Sequence, residues 1–313
     1  MKTTKDLNSN RKKIILIIII TLAVLIAGAL IISNSMSSTK GQQFGQTPKA
    51  TVSPEESSQP TEGEKEDGEG DSGFKTPSKE VTFNTETLSQ SAKSVYYGVY
   101  YFKDDIYITS DNSERTPSAS VIKVFIMQYV YDEIAAGKLT EDDVVSGSSI
   151  KNLVKTMIQN SDNNATNTLL DHFGMETINT YIKNCGYSDT EFQRKMLDFD
   201  AQKNGKENYT SLNDVMKFLE KLYNNKETFP YSTMLEIMKG QNIRTKLPQG
   251  IPQGTVIANK TGELSDVEND IGIVFTDKGD FAIAVLTDGV SSPQNARNAI
   301  ADLANQAYDR INK

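Results

Sequence analysis

The chain has 313 residues, a formal net charge of −8, one histidine and one cysteine. The negative charge argues against nucleic acid as a partner. A single cysteine excludes an internal disulfide, and one histidine with one cysteine argues against a zinc site, which usually draws on several such ligands. A glycine-rich phosphate loop is also missing from the sequence, so we expect neither a metal nor a cofactor.

The N-terminus combines a basic segment, residues 1–13, with a stretch from Ile14 to Ile32 that is apolar or small except for Thr21. At about 1.5 Å per residue this stretch spans roughly 28 Å, close to the hydrocarbon core of a bilayer. A cleaved signal peptide is the alternative, but the run exceeds a usual h-region of about 7–15 residues and no clear small-x-small site follows it. We therefore predict a cytoplasmic tail, a transmembrane signal anchor at residues 14–33, and an extracellular remainder at the cell membrane.

The next segment, residues 34–82, is built mainly from Ser, Thr, Pro, Gly, Gln and Glu, with a charged run at 62–71. Its few apolar residues cannot offset the entropy of ordering such a length, so we predict a disordered linker spanning on the order of 40 Å. Residues 83–313 have the length of one substantial domain with its own core.

The pattern within this domain changes from strands to helices and back to strands. A short helix, a tyrosine-rich hairpin and a helix without a polar face come first, at 85–94, 95–102 with 106–110, and 120–136. Helical stretches follow at 149–159, 164–173, 175–184, 211–224 and 231–239, with Thr210 or Ser211 as N-cap of the fourth. Strands at 255–261, 270–276 and 281–288 precede a final helix at 292–311.

This order predicts an α+β fold. Both ends of the domain would form one five-stranded antiparallel sheet, packed with the terminal helices, and an all-helical subdomain would be inserted between the two halves. We expect the tyrosines of the hairpin to pack in the core, although contact with a wall polymer is the alternative.

The chemistry points to serine and lysine. His172, at the end of a helix beside apolar residues, is expected to be structural, so a Ser-His-Asp arrangement is not supported. Ser120 and Lys123 lie three residues apart at the start of the apolar helix, so hydroxyl and amine would share one face. Burial would lower the pKa of the lysine and let it deprotonate the serine. Backbone N–H groups at the helix start would favour developing negative charge.

Two further motifs are weak when taken singly. Ser161-Asp162-Asn163, between two helices, is also a typical loop and N-cap sequence. Lys260-Thr261-Gly262 closes a predicted strand, where a lysine is usually a surface residue. The ordered set with S-x-x-K is far more specific than any one of the three.

The set resembles class A β-lactamases and related penicillin-binding serine enzymes, over about residues 84–312. The resemblance implies that Ser120 is acylated, that Lys123 helps to deprotonate it, and that Ser161 relays a proton to the leaving nitrogen. It further implies three binding functions. The substrate's amide would be held by Asn163, its carboxylate by Lys260 and Thr261, and its oxyanion by the backbone N–H groups of Ser120 and Glu263.

One departure from the family concerns release of the acyl group. Class A β-lactamases carry a Glu-x-x-x-Asn loop that activates water, and the corresponding stretch here, residues 194–210, has no such pattern. Asp198 or Asp200 is a possible substitute, and Asp198 is equally suited to pair with Arg194. Acylation is therefore better supported than rapid deacylation.

Three functions remain open at this stage. The first is a serine hydrolase that opens a β-lactam amide, or that acts on a cell-wall peptide or ester as a D-Ala peptidase or esterase. The second is a binding module that acylates, or only binds, without turnover. The third, a structural domain without catalysis, is disfavoured because all six motif side chains are retained. A small-molecule β-lactam or a cell-wall peptide is thus the expected partner, besides the membrane.

Overall fold

The computed structural model describes residues 82–110 and 112–312. The predicted tail, the anchor at residues 14–33 and the linker apart from its last residue lie outside these ranges. No helix within the described residues is long and apolar enough to cross a membrane.

The sheet has five strands, and all neighbouring pairs are antiparallel. The strands are β1 (Ser94–Tyr101), β2 (Ile106–Thr109), β7 (Val256–Leu264), β8 (Val267–Phe275) and β9 (Phe281–Asp288). Their order in the sheet is β2–β1–β9–β8–β7, so strands from both ends of the domain meet at the centre, as predicted. Shorter pairs join β3 (Thr116–Pro117) to β6 (Tyr209–Thr210) and β4 (Val144–Val145) to β5 (Ser148–Ser149).

The hairpin β7–β8 corrects two predicted boundaries. Lys260-Thr261-Gly262 lies inside β7 and does not close it, because the strand continues to Leu264. Its partner begins at Val267, three residues before the predicted start, and the two ends pair directly. Regular pairing with β8 therefore continues both before and after the motif.

The helices follow the predicted order. Their bounds are α1 (Glu86–Ser91), α2 (Lys123–Ala135), α3 (Ile150–Gln159), α4 (Asn163–Phe173), α5 (Met175–Asn184), α6 (Phe199–Lys203), α7 (Leu212–Asn224), α8 (Tyr231–Lys239) and α9 (Pro293–Asn312). Within the described residues, the prediction missed the short α6 and a 3-10 helix at Leu247–Gln249. Ser211 caps α7 by accepting a hydrogen bond from the backbone N–H of Asp214.

Two apolar cores lie on opposite faces of the sheet. One joins the sheet to the helical cluster around α2, in which every residue from Lys123 to Tyr131 is buried. The other packs β1, β7 and β9 against α1 and α9, whose Ala296, Ile300, Leu303 and Ala307 are buried. Tyr96, Tyr100, Tyr101 and Tyr107 of the hairpin are buried as well, which confirms that these side chains pack.

Candidate active site

The segment that carries Ser120 enters its helix through a tight turn. Residues Ala119–Ile122 form a 3-10 helix, and α2 begins only at Lys123, later than predicted. Ala119 has a φ of 47°, a left-handed conformation that is uncommon for a residue with a Cβ. Ser120 is half-buried directly after this residue. Such a conformation persists only where neighbouring contacts enforce it.

Those contacts come from two directions. The backbone N–H and the hydroxyl of Ser118 each donate to the carbonyl of Asn208, both at 2.9 Å. Asn269 on β8 donates its amide to the carbonyl of Pro117 at 3.0 Å and to that of Ser118 at 3.3 Å. The amide oxygen of Asn269 accepts from the N–H of Thr287 on β9. The segment before Ser120 is thus tied to the sheet.

Strand β7 lies directly against this segment at Gly262. A Cβ built on Gly262 would stand 2.9 Å from the Ser118 carbonyl and 3.0 Å from the Ser120 nitrogen. Only glycine leaves room for the two backbones at this distance. Because β7 is an edge strand, alternate residues turn an unpaired N–H away from the sheet. The predicted oxyanion donors, Ser120 and Glu263, are therefore close neighbours in space.

Lys123 is fully buried, and burial lowers the pKa of its amine to about 7, against an opposing effect of Asp162. Its Nζ donates to the Ser161 carbonyl at 2.7 Å and to Asn163 Oδ1 at 2.8 Å, and it lies 3.4 Å from Ser161 Oγ. No hydrogen bond between Lys123 and the Ser120 hydroxyl is found among the described residues. The direct pairing expected from helix spacing is therefore replaced by bonds to the Ser161 segment.

Ser161 lies between α3 and α4 with a φ of 55°, a second left-handed residue in the site. Asp162 caps α4 by accepting from the N–H of Ala165 at 2.7 Å, so the local capping role and the motif coexist. Lys260 donates to Ser161 Oγ at 2.9 Å and to the Thr261 carbonyl at 2.7 Å. Burial, reinforced by the charge of Lys123, holds the pKa of Lys260 well below its usual range.

Thr261 is buried beside Lys260, whereas the Glu263 side chain is 40% exposed. All seven residues predicted for the site thus belong to three converging segments. The serine hydroxyls and lysine amines are grouped together, and the backbone of Gly262 and Ser120 lies beside them. The side-chain oxygen of Asn163 accepts a hydrogen bond from Lys123.

A cluster of charged residues beside β7 was not predicted from the sequence. Lys246 is fully buried, 2.8 Å from Glu263 and 3.0 Å from Glu268, and Arg297 of α9 lies 2.7 Å from Glu268 and 3.4 Å from Glu263. Buried Asp270, whose pKa burial raises to about 6, accepts from Asn259 and from the N–H of Leu247. The sequence signal for this cluster is the pair of acidic residues at alternate positions of β8, Glu268 and Asp270. The sequence around Lys246 gives no sign that this lysine is buried.

The loop over residues 194–207 corrects a predicted pairing. Arg194 forms an ion pair with Glu207, at 2.8–3.0 Å, and not with Asp198. Asp198 instead caps α6 by accepting from the N–H of Ala201 at 2.9 Å. Asp200 is 93% exposed and has only a loose pair with Lys203. Among the described residues, neither aspartate has a hydrogen bond or ion pair with the Ser120 or Ser161 segments.

Within the described residues, no three His, Cys, Asp or Glu side chains are grouped so that they could hold a metal ion. His172 is exposed at the end of α4, where its ring contacts Phe173.

The family follows from a match over nearly the whole described region. Residues 80–311 match the model of the beta-lactamase enzyme family. The chain belongs to this family. No protein of curated function matches the chain significantly.

Solved structures give the same fold. A β-lactamase from Chitinophaga pinensis has a TM-score of 0.67 at 20% identity, covering 72% of this chain and 96% of that one. A β-lactamase from Sphaerobacter thermophilus has a TM-score of 0.65 at 23% identity, covering 72% and 95%. A single-site mutant of PBP-A, described as an acyl-enzyme complex with penicillin-G, has a TM-score of 0.65 at 20% identity, covering 73% and 96%.

Proposed function

We propose that the protein is a serine hydrolase that opens the amide of a β-lactam through an acyl-enzyme on Ser120. One observation carries the proposal. Two buried lysines, Lys123 and Lys260, both approach the hydroxyl of Ser161, beside a half-buried Ser120 whose backbone lies against β7. A hydroxyl nucleophile needs an adjacent base, and a buried amine of lowered pKa supplies one near neutral pH.

In acylation, Ser120 Oγ attacks the carbonyl carbon and a C–O bond forms. Its proton passes to the neutral amine of Lys123, directly once substrate is bound or through an intervening group. The negative charge on the carbonyl oxygen is stabilised by the N–H groups of Ser120 and Glu263. As the C–N bond breaks, Ser161 gives its proton to the nitrogen and regains one from a lysine in contact with its hydroxyl.

Substrate binding involves the remaining motif residues. Asn163 would hold the substrate's amide, and its carboxamide is already positioned by Lys123. Lys260 and Thr261 would receive a carboxylate at the other end of the cleft. This division keeps the two lysines apart in function, one as base and one as a binding group.

Release of the acyl group has less support. Asp198 is occupied as a helix cap and Asp200 points to solvent, so neither aspartate is placed to activate water. This favours a long-lived acyl-enzyme, as in a penicillin-binding D-Ala peptidase, an esterase or a binding module without turnover. These remain the second candidates.

The apolar stretch at residues 14–33 supports a further part of the proposal, a single-pass anchor that keeps the domain outside the cell. Membrane fractionation of the full chain tests this. We expect the full chain to stay in the membrane fraction after a carbonate wash. A variant without residues 14–33 should be absent from that fraction. Release into the soluble fraction would overturn it.

The decisive experiment is an intact-mass time course of the full-length chain with penicillin G, with Ser120→Ala as control. An adduct that forms and disappears while hydrolysed penicillin accumulates supports a β-lactamase. A persistent adduct favours the penicillin-binding alternatives. No adduct on the wild-type chain would overturn the proposed function.

A further inference from the structure

The cleft end expected to receive a carboxylate already contains one. Glu263 follows Lys260-Thr261-Gly262 directly, and its side chain is 40% exposed. Side chains two residues apart on a strand point to the same face, about 7 Å apart. Glu263 therefore stands beside Thr261, one of the residues that would bind the substrate's carboxylate.

The cations near this carboxylate are already paired. Lys246 is completely buried between Glu263 and Glu268, and Arg297 contacts the same two glutamates. Two cations thus face two carboxylates. Buried Asp270 lies on the same strand as Glu268 and adds a further acidic group. The local charge available to attract an anion is consequently small.

A third cation at this end is Lys260. It has no exposed surface, and its amine is held by Ser161 and by the Thr261 carbonyl. A substrate carboxylate would therefore meet a shielded ammonium group on one side and the exposed carboxylate of Glu263 on the other. Like charges at this separation repel each other appreciably where solvent is partly excluded.

We propose that Glu263 is a specificity-determining residue that disfavours substrates with a carboxylate at this end of the cleft and favours neutral or cationic groups there. The inference rests on the proposed acylation of Ser120. It concerns the side chain of Glu263, which is separate from the backbone N–H assigned to the oxyanion. An amide, an ester or an ammonium group in place of the carboxylate defines the substrate class.

The test uses three forms of one β-lactam that differ in charge only at the carboxylate: penicillin G, its methyl ester and its aminoethyl amide. The rate of adduct formation on the full-length chain is measured for each by intact mass. For the wild-type chain we expect the ester and the cationic amide to react faster than penicillin G. In Glu263→Gln the ratio of the penicillin G rate to the ester rate should rise about fivefold.

A reciprocal variant and a matched control separate this effect from a general loss of folding. Arg297→Gln removes a cation and should lower the same ratio. Glu236→Gln also removes a carboxylate paired with a lysine, but on the exposed surface of α8, and should leave the ratio unchanged. Raising the salt concentration should shrink the difference between wild type and Glu263→Gln, because the charges are partly exposed.

The outcomes are distinguishable. A raised ratio in Glu263→Gln with a lowered ratio in Arg297→Gln supports the proposal. Adducts whose charge preference is the same in wild type and Glu263→Gln would overturn it while leaving the acylation of Ser120 intact. Equal loss of all three reactions in Glu263→Gln would assign the side chain a structural role and also overturn it. No adduct on the wild-type chain with any of the three would overturn the proposed function and this inference together.

Discussion

The ammonium group of Lys260 lies 2.9 Å from the hydroxyl of Ser161, and the amine of Lys123 approaches the same oxygen at 3.4 Å. Both lysines are fully buried. Two cations around one hydroxyl repel each other, and burial disfavours each charge. Burial lowers the pKa values of both amines, and the charge of Lys123 lowers that of Lys260 further. The amine of Lys123 is therefore partly neutral near pH 7, as its proposed role as base requires.

Acylation should consequently depend on pH. Lys123 can accept a proton only when neutral, and burial lowers its pKa to about 7. The adduct formation rate at low penicillin G should therefore rise with pH, reach half its maximum near pH 7, and level off above it. Quenched-flow mixing followed by intact-mass spectrometry measures the adduct formation rate between pH 5.5 and 9. A flat profile would contradict a role for Lys123 as base.

The position of that midpoint should respond to Asp162, whose charge raises the pKa of Lys123. Asp162→Ser removes the charge and keeps an N-cap oxygen for the N–H of Ala165. The midpoint should move to lower pH in this variant. Asp143→Ser, at an exposed turn in which the carboxylate accepts from Thr140, is the matched control and should leave the midpoint in place. A midpoint unchanged in both variants would show that Asp162 does not tune the amine.

The sheet and most helices could be predicted because their signals are local. Two aromatic and β-branched runs flank a turn at residues 103–105, which predicts the hairpin. The apolar run after Ser120 has no polar face, so its sequence directly implies a buried helix. The three motifs then indicated which residues converge. Their convergence itself depends on contacts such as Gly262 against Ser118, which join residues far apart in the chain.

The remaining features could not be predicted for the same reason. Lys246 becomes a buried partner of Glu263 and Glu268 only through tertiary packing, and its own neighbours in sequence resemble an ordinary loop. Arg194 has Asp198 close by in sequence, yet it pairs with Glu207, because Asp198 is better used as the cap of α6. Local spacing favours one partner and the folded loop selects another.

Lys123 should also reduce stability. An amine whose pKa falls from 10.5 to about 7 costs the fold about 4 kcal/mol at neutral pH. Lys123→Met removes this cost but leaves the Ser161 carbonyl and Asn163 unpaired, at about 1–3 kcal/mol each. The effect of Lys123 is identified by the pH dependence of the free energy of unfolding. The unfolded chain binds more protons between about pH 7 and 10.5, so wild-type stability rises with pH there relative to the variant.

Urea unfolding of wild type and Lys123→Met at pH 6.5 and 9 measures this difference. The free energy of unfolding of the variant, relative to wild type, should be higher at pH 6.5 than at pH 9 by about 2–3 kcal/mol. Lys155→Met, on the exposed side of α3, should show no such change. Parallel pH dependence in wild type and Lys123→Met would mean that Lys123 stays charged in the folded protein.

Gly262→Ala should impair both folding and acylation. The new Cβ would lie 2.9–3.0 Å from Ser118 O, Ala119 Cβ and Ser120 N, and two of these are backbone atoms that cannot rotate away. We expect a loss of about 2 kcal/mol in the free energy of unfolding, since overpacking commonly costs about 1–3 kcal/mol. The penicillin G acylation rate should fall by at least tenfold, because the Ser120 N–H would shift away from the oxyanion.

Gly279→Ala provides the matched control, because a Cβ there meets Lys103 only at ordinary contact distances of 3.6 and 3.7 Å. Denaturant unfolding and adduct formation are measured for both variants. Gly279→Ala should change stability by less than about 0.5 kcal/mol and leave the rate intact. If Gly262→Ala lowered stability but acylated at the wild-type rate, the close approach of β7 to Ser120 would serve packing alone.

Asn269 should act as a positioning residue for the nucleophile segment. Its amide bonds to the Pro117 and Ser118 carbonyls and to the Thr287 N–H hold the backbone in which Ala119 is left-handed. Asn269→Leu leaves the Pro117 carbonyl and the Thr287 N–H without their side-chain partner, whereas the Ser118 carbonyl still accepts from the Val121 N–H. We expect a loss of about 2–4 kcal/mol in the free energy of unfolding. Acylation is measured at a temperature where the variant is still folded. The rate at saturating penicillin G should fall, because the geometry at Ser120 is altered, while the concentration that gives half of this rate should change little.

The control is Asn225→Ala, which removes an exposed hydrogen bond from the Asn225 amide to the Lys221 carbonyl. This variant should change neither stability nor the saturating rate. A stability loss in Asn269→Leu with an unchanged saturating rate would limit Asn269 to holding the sheet together.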